Sequence, residues 1–201
     1  MGKKGEASRA RLIAAAEELF ANRGIKATTV SAIVARAGLT QAAFYLYFKS
    51  KDDLVEELLN RFGGMLDVYV NAGSRANQVP TSELEGLVTS VFTGLFRLLG
   101  ANPNLTRIAL QETDAGERYR KSIVSQIAGN MRRNQELGIV DKEIDPEFAA
   151  ESAVATVERM ILRYVIPGER SAEELGQQAA RLFLNGILAG KKRIGPADER
   201  S

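Results

Sequence analysis

Histidine and cysteine are both absent from the 201 residues. Without them there is no Ser–His or Cys–His catalytic pair, no thiolate chemistry and no zinc site built on imidazole or sulfur. A metal would have only carboxylates, carbonyls and water to bind, and no metal or cofactor is expected. No disulfide framework can form either, which fits a reducing compartment. Long uncharged runs are missing too. The longest, Ala37–Phe48, has twelve residues, where a membrane helix needs about 20. The start, Met1 to Glu6, lacks the apolar core of a signal peptide and puts Glu6 where myristoylation requires Ser or Thr. A soluble, cytoplasmic protein is expected. Its 45% apolar and 26% charged residues suffice for a sizeable core in one domain or two small ones.

The chain also lacks a large net charge, at +2, but this total conceals a partition. Residues 1–51 carry nine basic side chains against three acidic ones, or +6; the other 150 carry eighteen against twenty-two, or −4. A basic quarter joined to a mildly acidic body suggests that the basic part meets a polyanion.

What is present is helical punctuation almost throughout. Leu12, Ile13, Ala16, Leu19 and Phe20 recur at helical spacing before Gly24. A second short stripe, Val30/Ile33/Val34/Ala37, starts at Thr28 or Thr29 and stops at Gly38. Thr40 then caps a third helix, with Leu39 and Phe44 spaced as a hydrophobic staple, and Ser50-Lys51-Asp52-Asp53 opens a long fourth. Asn71–Pro80 reads as a loop, and Ser82-x-x-Glu85 as a capping box before a stripe ending at Gly100. Asn102-Pro103 and Asp145-Pro146 each place a capping side chain before proline. Asp114-x-x-Glu117 and Ser171-x-x-Glu174 start further helices. About nine helices and no strand are expected, an all-α protein.

Helices two and three are separated by Gly38-Leu39-Thr40, the length of a helix-turn-helix turn. The helix after such a turn enters the major groove and offers its N-terminal residues to base edges. Here those are Thr40, Gln41, Ala42 and Ala43. Gln41 can bond adenine bidentately, Thr40 can donate to base or phosphate, and either alanine can lie against a thymine methyl. Tyr45, Tyr47, Lys49 and Lys51 follow, hydroxyls and ammoniums suited to phosphate oxygens, while Phe44 and Phe48 between them suit the core.

The run from Ala37 through Gly38-Leu39-Thr40-Gln41, Phe44-Tyr45-Leu46-Tyr47-Phe48 and Lys49-Ser50-Lys51-Asp52-Asp53-Leu54 resembles the signature of the TetR/AcrR family of bacterial transcriptional regulators. Ile13–Gly24 and Thr28–Ile33 resemble the family's first two helices, so that the likeness covers residues 8–60. It implies a three-helix DNA-binding domain over residues 1–51 and an effector-binding and dimerisation domain over 52–201. Thr29 would touch phosphate, Thr40 to Ala43 with Tyr45 would face the groove, and Lys49 and Lys51 would clamp phosphate. The family often carries histidine where this chain has Tyr47, a phenol that donates to phosphate without changing charge near neutral pH. The lysine-bearing Gly2–Gly5 arm reads as disordered rather than as a minor-groove arm.

The resemblance further implies a homodimer formed through the last two long helices, about 145–165 and 171–189, on a palindromic operator. There Ala149, Ala153, Ala179 and Gly186 permit close approach, and Leu182, Phe183 and Ile187 supply area. A small-molecule effector would sit among helices four to eight. Phe62, Met65, Leu66, Tyr69, Phe92, Phe96, Leu110, Ile127 and Met131 offer apolar walls, and the effector is expected to be apolar or aromatic. Gln111, Thr113, Tyr119, Glu158, Arg159 and Arg163 offer polar points. Gly63-Gly64 would interrupt helix four, as a hinge or as space for a bulky neighbour.

Two other classes compete. A helical-bundle enzyme is disfavoured, since the di-metal carboxylate arrangement wants Glu-x-x-His and no phosphate-loop motif occurs. A protein-binding helical adaptor would show no salt-dependent affinity for duplex DNA. Within the favoured class, a repressor is expected, with an activator as the alternative.

Overall fold

The computed structural model describes residues 3–111 and 113–187. Nine α-helices occur among them and no strand: α1 (Lys3–Arg23), α2 (Val30–Ala37), α3 (Gln41–Tyr45), α4 (Lys51–Val70), α5 (Leu84–Ala101), α6 (Pro103–Ala109), α7 (Asp114–Glu136), α8 (Pro146–Met160) and α9 (Ala172–Ile187). Lys3 to Gly5 form the first turn of α1, so this part of the arm is helical rather than disordered; Gly2 lies outside the described residues.

The first turns of α2, α3 and α4 are fixed by single hydroxyls, each accepting from a backbone N–H three residues on. Thr29 caps α2 at Ala32, Thr40 caps α3 at Ala43 and Ser50 caps α4 at Asp53. Thr28, the other candidate cap, is buried and donates to the Gly24 carbonyl at 2.8 Å. Gly38 ends α2 at φ +61°, where a side chain would be strained. Phe44 and Phe48 are buried, and Leu39 packs on the same core. That core is continuous. Buried residues from α1, α2, α3 and α4 join those of α5, α6 and α9 in one cluster, and Val124, Ala128 and Ala150 form a satellite between α7 and α8.

Several local expectations are corrected. Asn71–Gln78 is 3-10 helix rather than loop, held to α7 where Asn130 and Asn134 donate to the carbonyls of Val70 and Gly73. The Ser82/Glu85 capping box does not form, because Thr81–Glu83 is itself a 3-10 turn feeding α5. Asn102 caps backwards, donating to the Leu98 carbonyl of α5, whereas Asp145 caps α8 as expected. Beyond Met160, α8 continues as a π-helical segment, Ile161–Val165.

Helix α4 runs unbroken through Gly63-Gly64. A Cβ at Gly63 would lie 2.9 Å from the Tyr119 ring of α7, whereas one at Gly64 would meet nothing within 4 Å. Gly63 thus admits a bulky neighbour and Gly64 does not. Gly64→Ala is expected to raise stability by about 1 kcal/mol through helix propensity. Gly63→Ala gains as much but must displace the ring, for a net loss of ~1 kcal/mol. Thermal melts of the two variants should move in opposite directions. At Gly176 the approach is tighter still, since a Cβ would stand 2.8 Å from the backbone of Thr93, and α9 lies directly along α5.

Candidate functional sites

The N-terminal surface is assembled by α2, the glycine turn and α3. Thr29, Thr40, Gln41, Ala42, Tyr45 and Lys49 are exposed on it. Ala43 and Tyr47 are half-buried, and Tyr47 packs on the core. Gln41 donates its amide to Ser31 Oγ on α2, which ties the first turn of α3 to the preceding helix. Lys51 differs from the phosphate clamp expected of it. Its ammonium donates to the carbonyls of Ile25, at 2.8 Å, and Thr28, at 3.0 Å, closing the α1–α2 connection from the start of α4.

Sequence reasoning passed over four residues here. Arg11 reaches from α1 to the carbonyls of Ala37 and Gly38 and holds the turn. Arg9 pairs with Glu57 of α4 and lies over the Phe48 ring, 5.3 Å from its centroid. Ser31 receives Gln41. Leu46, 75% exposed, presents bare apolar surface beside Tyr45. The signals for Arg9 and Arg11 lay in basic residues set among the apolar positions of the first helix, which give no hint of their tertiary partners.

The second feature is a partly open cavity of about 260 Å³ lined by α4 to α9 and the 3-10 segment. Phe62, Leu66 and Tyr69 of α4 line it, as do Phe92 of α5 and Leu110 after α6. Tyr119, Ile127 and Met131 of α7 and Glu158 of α8 complete the expected set. By length and composition α5 alone among the described helices could cross a membrane, but its apolar side here faces this cavity and α9.

Six expected lining residues lie elsewhere. Phe96 is fully buried in the core, and Met65 packs against it. Thr113 caps α7 by accepting from Gly116. Arg159 and Arg163 are exposed, and Arg163 pairs with Glu169 while lying over the Tyr164 ring. Gln111 points towards α1: Nε2 donates to the Phe20 carbonyl at 2.8 Å, and Oε1 accepts from Ile25 N–H at 2.9 Å. It joins the end of the α6 wall to the connection that Lys51 closes.

Arg120 went unnoticed in the sequence, although Glu117-x-x-Arg120 is an ion-pair spacing. It lines the cavity, its Nε donating to Glu158 at 2.9 Å and its Nη1 to Glu117 at 2.7 Å. The hydrogen bond to Glu158 favours the charged guanidinium, against the cost of burial. Burial, assisted by the Asp67 carboxylate, pushes the Tyr119 phenol above its ordinary range.

The expected dimer residues are mostly consumed within the chain. Ala149 and Ala179 are buried, Ala153 and Phe183 line the cavity, and Phe183 stacks on Phe92 at 5.5 Å. Leu182 is 64% exposed, and the exposure of Gly186 and the side chain of Ile187 fall outside what the structure describes. Another stripe is available: Phe148, Ala155 and Leu162, seven residues apart along α8 and its π extension, are all exposed.

A family model described as bacterial regulatory proteins, tetR family, matches residues 12–58. The HTH-type transcriptional repressor KstR2 of Mycolicibacterium smegmatis is 32% identical over 193 residues, covering 89% of this chain and 90% of that protein. An uncharacterized HTH-type transcriptional regulator, YdgC of Bacillus subtilis, is 29% identical over 188 residues, 94% of this chain and 96% of its own. In fold, the chain resembles SmeT, repressor of the Stenotrophomonas maltophilia multidrug efflux pump SmeDEF, with a TM-score of 0.69, 22% identity and 96% of each chain covered. A SmeT–triclosan complex matches with a TM-score of 0.67 at 22% identity, over 97% of this chain and 99% of that one.

Proposed function

The chain belongs to the TetR family of bacterial regulatory proteins, a family of transcriptional regulators and not of enzymes, and from that premise we propose a ligand-responsive repressor. It binds a palindromic operator as a homodimer and is released by a small apolar or aromatic effector. The observation that carries the reading is the apolar cavity, whose α4 wall continues directly into the helix-turn-helix unit. In this proposal residues 1–51 read DNA and residues 52–201 bind effector and dimerise, with the protein acting in the cytoplasm. SmeT, similar in fold, is a repressor with a triclosan complex, which supports a small-molecule effector here.

Thr40, Gln41, Ala42 and Ala43 meet base edges, with Leu46 suited to a thymine methyl, while Thr29, Tyr45, Tyr47 and Lys49 contact phosphate. The exposed stripe of Phe148, Ala155 and Leu162, together with Leu182 of α9, is the face offered to the second copy. Two-fold symmetry then sets half-sites about 34–36 Å apart, or a multiple of that.

Selection of bound duplexes from a random pool, at two salt concentrations, tests the reading. A palindromic consensus with salt-dependent affinity is expected; recovery of no enriched sequence would overturn it. Gln41→Ala is expected to change preference at one position of the consensus by ~1–3 kcal/mol, measured by competition between single-base variants.

A further inference from the structure

The chemistry of the cavity wall narrows the effector, on the reading that this cavity is the effector site. A 150 Å³ cavity lined by apolar side chains holds benzene. At about 260 Å³, this one has room for about two rings. The wall is apolar over most of its extent, from Phe62 and Leu66 across Val91 and Phe92 to Ile127 and Met131.

Beside the Tyr69 and Tyr119 phenols, its polar side chains are bonded within the chain. Thr106 donates to the Leu99 carbonyl at 2.9 Å, Asn130 to Val70 at 3.2 Å and Asn134 to Gly73 at 3.0 Å. Arg120 and Glu158 are the charged side chains of the wall among the described residues, and they are bonded to each other. Glu117 takes a second edge of the same guanidinium. A ligand carboxylate brought to Arg120 would lie beside Glu158 and Glu117, two carboxylates already gathered on one guanidinium. A ligand ammonium that donates to Glu158 would stand beside the Arg120 guanidinium already bonded to the same carboxylate, a like charge at close range. Either ion gives up its hydration for a counter-charge already shared within this cluster. An uncharged hydroxyl or N–H can instead donate to Glu158 Oε2, which takes no part in the bond to Arg120.

We propose that the cavity binds an uncharged lipophile of about two rings, anchored by one hydroxyl or N–H donor on Glu158. It discriminates against carboxylates and cations of the same size.

The test compares three probes of one shape on the full chain by calorimetric titration at neutral pH: 4-benzylphenol, 4-benzylbenzoate and 4-benzylbenzylammonium. The phenol is expected to bind about tenfold or more tighter than either ion. Glu158→Gln should weaken the phenol and narrow the gap to the benzoate. The wild-type ranking needs no variant, so a Glu158→Gln chain that fails to fold leaves the comparison standing. If the benzoate or the ammonium binds as tightly as the phenol and releases DNA, the ligand class is overturned while the effector site stands. If none of the three binds although the chain still holds duplex DNA, the inference fails together with the effector reading.

Discussion

Replacing Lys51 with methionine is expected to lower the stability of the protein by about 2–3 kcal/mol, the scale for hydrogen bonds made by a charged donor. The ammonium satisfies the carbonyls of Ile25 and Thr28, and both residues are buried. Methionine keeps the alkyl stem and removes only the donor, so a lower urea midpoint at unchanged slope isolates the lost bonds. DNA binding should weaken as well, because the α1–α2 connection that positions α2 is loosened. Lys49 provides the contrast. It is exposed, and its side chain makes none of these bonds. Lys49→Ala is expected to leave stability within about 0.5 kcal/mol. It should weaken binding to every duplex alike and reduce the salt slope by about 1. If Lys51→Met melts like the parent chain, the ammonium does not hold that connection.

Gln111→Ala should separate ligand binding from DNA release. The side chain is a two-ended bridge, from the end of the α6 wall to the Phe20 carbonyl and the Ile25 N–H of the DNA-reading unit. Leu110 beside it lines the cavity, so in the proposed function a movement of that wall would be delivered to α1 through this amide. Without it, effector affinity should stay within about twofold while the effector's power to release DNA falls by ~1–2 kcal/mol, about 5–30-fold. Parallel titrations of effector on free protein and on the protein–DNA complex measure the two quantities. Equal losses in both would place Gln111 in the binding site rather than between the sites. Gln111→Glu retains the acceptor for Ile25 and loses the donor to Phe20, and so reports which end of the bridge matters.

The legible part of this structure is the part determined within one turn of chain. Thr29, Thr40 and Ser50 each cap a helix because a short hydroxyl reaches an N–H three residues on, a relation a sequence displays directly. The same logic misled at Ser82 and Asn102. The chain around Ser82 tightens into a 3-10 turn, and the Asn102 amide finds the end of α5 nearer than the start of α6. Apolar wall residues were readable because a stripe facing inward meets either core or cavity, and Phe96 shows that the pattern does not distinguish the two. Polar residues were least readable. Arg159 and Arg163 differ from Glu158 in rotational position about α8 and its extension, while Gln111 and Thr113 stand in the connection between α6 and α7, whose course no single helix determines.

One feature of the interior reaches beyond recognition. Because a single buried cluster runs from Leu12 and Phe20 through Leu54 and Leu58 to Phe96 and Leu175, the DNA reader has no separate core to melt. Heating or denaturant should therefore take the chain apart in one cooperative step, and a fragment cut at residue 51 would forfeit the α4 side chains that complete its interior. An effector that binds only the folded body then protects the reader from unfolding too, by the full linkage term RT ln(1 + [L]/Kd). The molecule that takes the protein off its operator would at the same time prolong the protein's life.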